Sequence, residues 1–151
     1  MARSILIIDD EQSILQTLEG ILIDEGFEVH CELSAVTALK KIDEMMPDLV
    51  ILDIWMPDMN GIDALMRLKQ DYPYIQVIMM SGHADVETAV KATRLGAYDF
   101  IEKPLSMEEL LLAINNALNF YQLGATRSRL LILLDNDPTC CITSSFILRH
   151  A

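Results

Sequence analysis

The sequence predicts an α/β fold: one doubly wound, five-stranded parallel sheet with helices on both faces. Three observations carry that expectation. Short apolar runs recur along the chain, amphipathic stripes of helical period separate them, and Gly, Asn and Ser punctuate the joins. The runs Ile5–Ile8, Leu49–Leu52 and Val77–Met80 are uninterrupted by polar residues. A strand that is apolar at every position is covered on both faces, as strands of parallel sheets are.

Each element follows in order. Ile5–Ile8 is the first strand. Ile14, Leu15, Leu18, Ile21 and Leu22 form a helical stripe that Gly26 is placed to stop. Phe27–Cys31 is a weaker strand. Ser34 is positioned to cap a second helix carrying Ala35, Ala38, Leu39 and Ile42. Leu49–Leu52 is the third strand, and after Asn60-Gly61 a third helix begins with Ile62, Leu65 and Met66. Val77–Met80 is the fourth strand; Val86, Ala89 and Val90 begin a fourth helix that Gly96 is placed to end. Tyr98–Ile101 is the fifth strand. Ser106-Met107-Glu108-Glu109 has the form of a capping box, opening a fifth helix with Leu110, Leu111, Ile114, Ala117, Leu118 and Tyr121.

The bulk properties fit one domain. The 151 residues are 52% hydrophobic and 23% charged, enough for a sizeable core and unlike a disordered chain. The net charge of -12 argues against nonspecific nucleic-acid binding, because nothing neutralises phosphates. It is compatible with a cation site, and equally with an ordinary acidic surface. The three cysteines, Cys31, Cys140 and Cys141, suggest neither a disulfide framework nor zinc and fit a reducing cytoplasm. The apolar run after MARS is too short for a signal peptide, and no membrane association is expected.

In a parallel sheet the functional crevice lies at the carboxyl ends of the strands. Reactive residues gather at those ends: Asp9, Asp10 and Glu11 after the first strand, Asp53 at the third, Ser81 at the fourth, Lys103 after the fifth. Clustered carboxylates repel unless a cation sits among them. Oxygen ligands without His or Cys favour magnesium over zinc. Asp10 read singly is a metal ligand, a solvated strand end or an N-cap. Asp53 is a nucleophile able to form an acyl phosphate, or a helix cap. The turn after Pro57 would allow the Trp55 carbonyl to face a metal. Lys103 is a counter-ion for a carboxylate and then for phosphoryl oxygens, or a surface lysine. Ser81 is a hydrogen-bond donor to a phosphoryl oxygen, or a turn residue. His83 is a neighbour of that site or a solvent-facing turn residue. Lys103 precedes Pro104, so it is restricted to extended or turn geometry, with a cis bond open.

Asp9-Asp10-Glu11 after ILII, LVILDIWMPDMNG around Asp53, MMSGHAD around Ser81 and DFIEKPL around Lys103 resemble the receiver-domain signature of two-component response regulators. The likeness spans residues 3 to about 121 and is strongest to receivers of NtrX/NtrC-type enhancer-binding transcription regulators. It implies a flavodoxin-like (βα)5 fold. It implies phosphorylation of Asp53 by a phosphohistidine on a sensor histidine kinase. Mg2+ would be held directly by Asp10, Asp53 and the Trp55 backbone carbonyl, with Asp9 acting mainly through water. Ser81 and Lys103 would contact the phosphoryl group. Ser81 and Phe100 would form a switch that biases the face of the fourth helix, fifth strand and fifth helix, the usual output and homodimer surface. Only self-phosphorylation and slow self-dephosphorylation are implied, not enzymatic turnover. Phe100 departs from the Tyr that many receivers carry, so switching there would rest on packing. Tyr98, two residues earlier, should point to the same side if the stretch is extended.

Residues 1–122 are thus expected to form the receiver and 123–151 a linker and short apolar tail. DNA would be reached only through an effector domain that this sequence does not include. Asp135-Asn136-Asp137-Pro138-Thr139 after an apolar run mimics a phosphatase nucleophile motif, but only 12 residues follow it. Two other functions stay open: a pseudo-receiver that binds or dimerises without phosphorylation, and a metal-dependent phosphatase on a related fold.

Overall fold

The computed structural model describes residues 3–82, 85–103 and 106–120. His83, Pro104, Tyr121, Cys140, Cys141 and the expected tail lie outside them.

Five parallel strands form one sheet in the order β2-β1-β3-β4-β5. They are β1 (Ser4–Ile8), β2 (Glu28–Glu32), β3 (Leu49–Asp53), β4 (Gln76–Ser81) and β5 (Asp99–Glu102). Helices α1 (Gln12–Asp24), α2 (Ala35–Met45), α3 (Gly61–Asp71) and α4 (Val86–Arg94) alternate with them. A fifth, α5, occupies residues 107–120. This is the doubly wound α/β architecture expected from the alternating pattern.

The alternation of side chains along a strand sorts the core into two layers. Ile5, Ile7, Leu49, Ile51, Ile78 and Met80 face α1 and α5. Leu6, Ile8, Val50, Leu52, Val77 and Met79 face α2, α3 and α4. β1, β3 and β4 are therefore buried at every position. The peripheral β2 is only part-buried, which explains its weaker apolar signal.

Local chemistry sets the joins. Gly26 (φ 93°) and Gly96 (φ 109°) follow α1 and α4 in left-handed geometry, a conformation that costs other residues free energy. Ser34 accepts from the Thr37 N–H at the start of α2, and Asn60 does the same for Ile62 on α3. Ser106 Oγ accepts from the Glu109 N–H at 3.5 Å, the first half of the expected capping box.

Helix α4 begins at Val86 and stops before Gly96 as expected, but its apolar stripe faces outward: Val86 is 78% and Val90 44% exposed, and only Ala92 of α4 is buried. The helix approaches the sheet margin along one small residue, leaving its larger side chains outward. Tyr98 is not on the same side as Phe100. Phe100 packs with the α2–α4 layer and Tyr98 with the α1–α5 layer, where its ring lies 5.8 Å from that of Phe120. Tyr98 precedes β5, in the turn out of α4, so the two-residue alternation does not extend to it.

Candidate functional site at the carboxyl edge of the sheet

Because all five strands are parallel, their carboxyl ends share one edge. The strand order reverses at β1, between β2 and β3, where open α/β sheets leave a crevice. The register sets Ile8 beside Leu52, Asp53 beside Met80, and Ser81 beside Glu102. Asp9, Asp53, Ser81 and Lys103 thus reach the edge from four strands. Backbone bonds continue the ladder past the strand ends: Ile54 N–H to the Met80 carbonyl at 3.0 Å, and Lys103 N–H to the Ser81 carbonyl at 2.7 Å.

Asp9, Asp10 and Asp53 each bring a carboxylate oxygen to within 4.8 Å of the others. Asp9 and Asp53 are buried and Asp10 is exposed. The Lys103 ammonium lies 2.8 Å from Asp9 Oδ2, 3.5 Å from Asp53 Oδ2 and 3.8 Å from Glu11 Oε1. Asp9 Oδ1 accepts the Glu11 N–H at 2.9 Å, so the chain itself engages both oxygens of Asp9. Ser81 is fully buried at the end of β4.

The electrostatics follow from burial and charge count. Burial, then the Asp9 charge, pushes the Asp53 carboxyl up from 3.8 to about 6. Lys103 and a hydrogen bond from the Trp55 backbone oppose this, and Asp10 reinforces it. Burial alone would lower the Lys103 pKa. The hydrogen bond and charge of Asp9, with Asp53 and Glu11, outweigh it and hold the ammonium above its ordinary value. One ammonium facing four carboxylates leaves the edge anionic.

That donor set fits a hard divalent cation. Octahedral magnesium takes oxygen ligands at about 2.1 Å, which places neighbouring ligand oxygens roughly 3 Å apart. Three carboxylate oxygens within 4.8 Å need little movement to reach that spacing. Asp10 is open to solvent, where the water ligands magnesium retains have room.

The sequence-predicted residues Asp9, Asp10, Asp53, Ser81 and Lys103 come together here. Trp55, 57% exposed, lies in the loop after Asp53. Phe100 is half-buried against the α2–α4 layer. Three contributions were not read from sequence. Glu11 joins the lysine's ion pairs. The Trp55 amide supports Asp53. Gly61 lets α3 abut strand β3: an added Cβ would overlap the Asp53 carbonyl oxygen and come within 2.6 Å of Ile54 Cα. A glycine as first residue of a helix, where other residues usually do better, was the available signal.

An open cleft of about 630 Å3 adjoins this edge between α1 and the start of α5. Ile14, Leu18 and Met107 supply its apolar lining, with Glu11 and Lys103 at the carboxylate side.

Comparison with known proteins gives consistent relatives. A family model described as "Response regulator receiver domain" matches residues 5–115. The nitrogen assimilation regulatory protein NtrX of Azorhizobium caulinodans is 42% identical over 125 residues, covering 82% of this chain and 28% of that protein. The crystal structure of a CheY-like response regulator receiver domain protein from Methanospirillum hungatei JF-1 superposes with a TM-score of 0.79 at 33% identity. It covers 82% of this chain and 99% of that one. The solution structure of the beryllofluoride-activated NtrC4 receiver domain dimer superposes with a TM-score of 0.75 at 42% identity, covering 78% and 98%. The chain spans 24% to 28% of the length of the first regulators it matches. No helix among the described residues is long and apolar enough to cross a membrane.

Proposed function

The chain belongs to the response regulator receiver domain family, and on that premise we propose that Asp53 accepts a phosphoryl group from a sensor histidine kinase. The observation that carries the reading is the convergence of Asp9, Asp10, Asp53 and Lys103 on one strand edge. An Asp53 oxygen attacks phosphorus, an acyl phosphate bond forms, and the bond to the donor's imidazole nitrogen breaks. Phosphoryl transfer asks mainly for positioning and charge neutralisation. Lys103 is already 3.5 Å from Asp53 and carries the positive charge that the phosphoryl oxygens require. Ser81 adds a buried hydroxyl at the neighbouring strand end.

Mg2+ is the proposed cofactor, with Asp10, Asp53 and the Trp55 carbonyl as direct ligands. When bound it neutralises the anionic edge and orients the phosphate oxygens. Asp9 acts mainly through water and by holding Lys103; the chain's use of both its oxygens supports that role. Phosphorylation then draws Ser81 inward and Phe100 follows, biasing the α4-β5-α5 face. The exposed Val86, Val90 and Phe120 give that face apolar character suited to a partner or a second copy. The process is cytoplasmic and regulates transcription through an effector, with no turnover of a separate substrate.

Incubation with Mg2+ and acetyl phosphate tests the reading by intact mass. The expected result is a gain of one phosphoryl group that is absent in Asp53→Ala and without Mg2+. No gain in the wild-type chain sinks it and favours a phosphorylation-independent module. Continuous release of phosphate would point to a phosphatase.

A further inference from the structure

The loop between β3 and α3, residues 54–60, buries Ile54 and Met56 in the core and leaves Trp55 and Asp58 exposed. It begins at the phosphoacceptor, and its Trp55 amide donates to the Asp53 carboxylate. At its far end Gly61 N–H bonds the Ile54 carbonyl at 2.8 Å and Asn60 caps α3. Between these anchors Met56 packs into the core, and Asp58 makes a polar tie to another element. The Asp58 carboxylate accepts the Ser34 hydroxyl and, at 3.3 Å, the Val36 N–H, both at the start of α2. Ser34 in turn accepts the Thr37 N–H. Asp58 is thus a long-range cap. It supplies an acceptor to a first-turn amide that Ser34 does not reach, and its negative charge lies at the positive end of the helix. The Ser34 bond holds its carboxyl below the usual carboxylate range. The ordinary reading is a stabilising cap for α2. Its partners in the chain favour more. α2 packs beside α3 on the same face of the sheet, so the bond ties the loop to a body fixed independently of it.

We propose that Asp58 is a positioning residue for the phosphoacceptor: anchored on the α2 N-terminus through Ser34 and Val36, it fixes the loop that sets the Trp55 backbone against Asp53 and the metal site. The inference rests on the Mg2+ reading above. Groups that orient a metal's ligands change affinity without touching the ion. Asp58 also carries a charge near the site, so removing it has a direct electrostatic effect. Ser34→Ala breaks the same anchor with no change of charge and separates the two.

The test is a Mg2+ titration followed by the Trp55 backbone amide chemical shift in the wild type, Ser34→Ala, Asp58→Ala and the double variant. Asp48→Ala serves as the control. Asp48 accepts the Ser4 N–H at 2.8 Å, at the opposite, amino-terminal end of β1, so its loss lowers stability away from the site. Ser34→Ala and Asp58→Ala are expected to weaken Mg2+ affinity by about tenfold or more. The double variant should be no weaker than the worse single, since both remove one anchor. Asp48→Ala should lower the melting temperature and leave the affinity within about twofold. If Ser34→Ala binds Mg2+ as the wild type does, or if the two single effects multiply, Asp58 is only a charge or a cap and the proposal falls. If the wild-type amide does not respond to Mg2+, the metal reading itself falls and takes this inference with it.

Discussion

Replacing Asp53 by Asn in the metal-free protein should stabilise the fold while abolishing the proposed phosphorylation. Asp53 is buried next to Asp9, and its carboxyl is pushed from 3.8 to about 6. A folded-state pKa raised for an acid means that the folded state binds the proton more tightly than the unfolded one. Stability contributed by this group therefore falls as pH rises between those values. Above pH 6 the ionised Asp53 costs about 3 kcal/mol. Near pH 4.5 the same relation leaves about 1 kcal/mol, because much of the folded population is protonated and uncharged. Asp53→Asn removes the charge and keeps the shape, at the cost of the Lys103 contact. Urea denaturation at pH 7.5 with a chelator present should show a gain of about 1 to 3 kcal/mol, shrinking at pH 4.5. On the proposed role of Mg2+, saturating metal should narrow the gap, because binding would stabilise the wild type more than the variant. A loss of stability at pH 7.5, or a gain independent of pH, would refute the reasoning. It would mean that Lys103 already neutralises Asp53.

Lys103→Met removes the only ammonium within reach of Asp9 and Asp53 among the described residues. Thermal melts at neutral pH without metal should report a loss of about 3 kcal/mol, the usual consequence of leaving a buried charge unpaired. Gly61→Ala should lose about 2 kcal/mol in urea, since the new methyl group overlaps the Asp53 backbone. Gly20→Ala, inside α1 with nothing within 4 Å of an added Cβ, should gain about 0.5 kcal/mol in the same assay. Leu65→Ala, fully buried on α3, should cost about 3 kcal/mol, whereas Val90→Ser on α4 should change stability by less than about 0.5 kcal/mol. An equal loss at both positions would contradict the outward orientation of α4.

The edge occupied by Asp9, Asp53, Ser81 and Lys103 was legible because a parallel sheet collects strand ends from distant segments. Strands β1, β3 and β4 were legible because burial on both faces leaves an unbroken apolar run. The outward facing of α4 and the side taken by Tyr98 were not legible for a related reason. Periodicity marks which residues share a face, and only packing decides whether that face meets the core. Val86 and Val90 share a face that points to solvent, and Tyr98 falls outside the strand whose alternation was extended to it.

For the site itself, residue types and order in the sequence determined the chemistry: carboxylates, a hydroxyl and an amine at strand ends. Tertiary structure decided the division of labour. Asp9 rather than Asp10 is buried and bonded to Lys103, and Asp53 carries the raised pKa. Glu11 joins the ion pairs and Asp58 reaches α2 from 24 residues away. These depend on distance and solvent access. Coulomb and desolvation energies vary with both, and neither is a property of a residue's place in the chain.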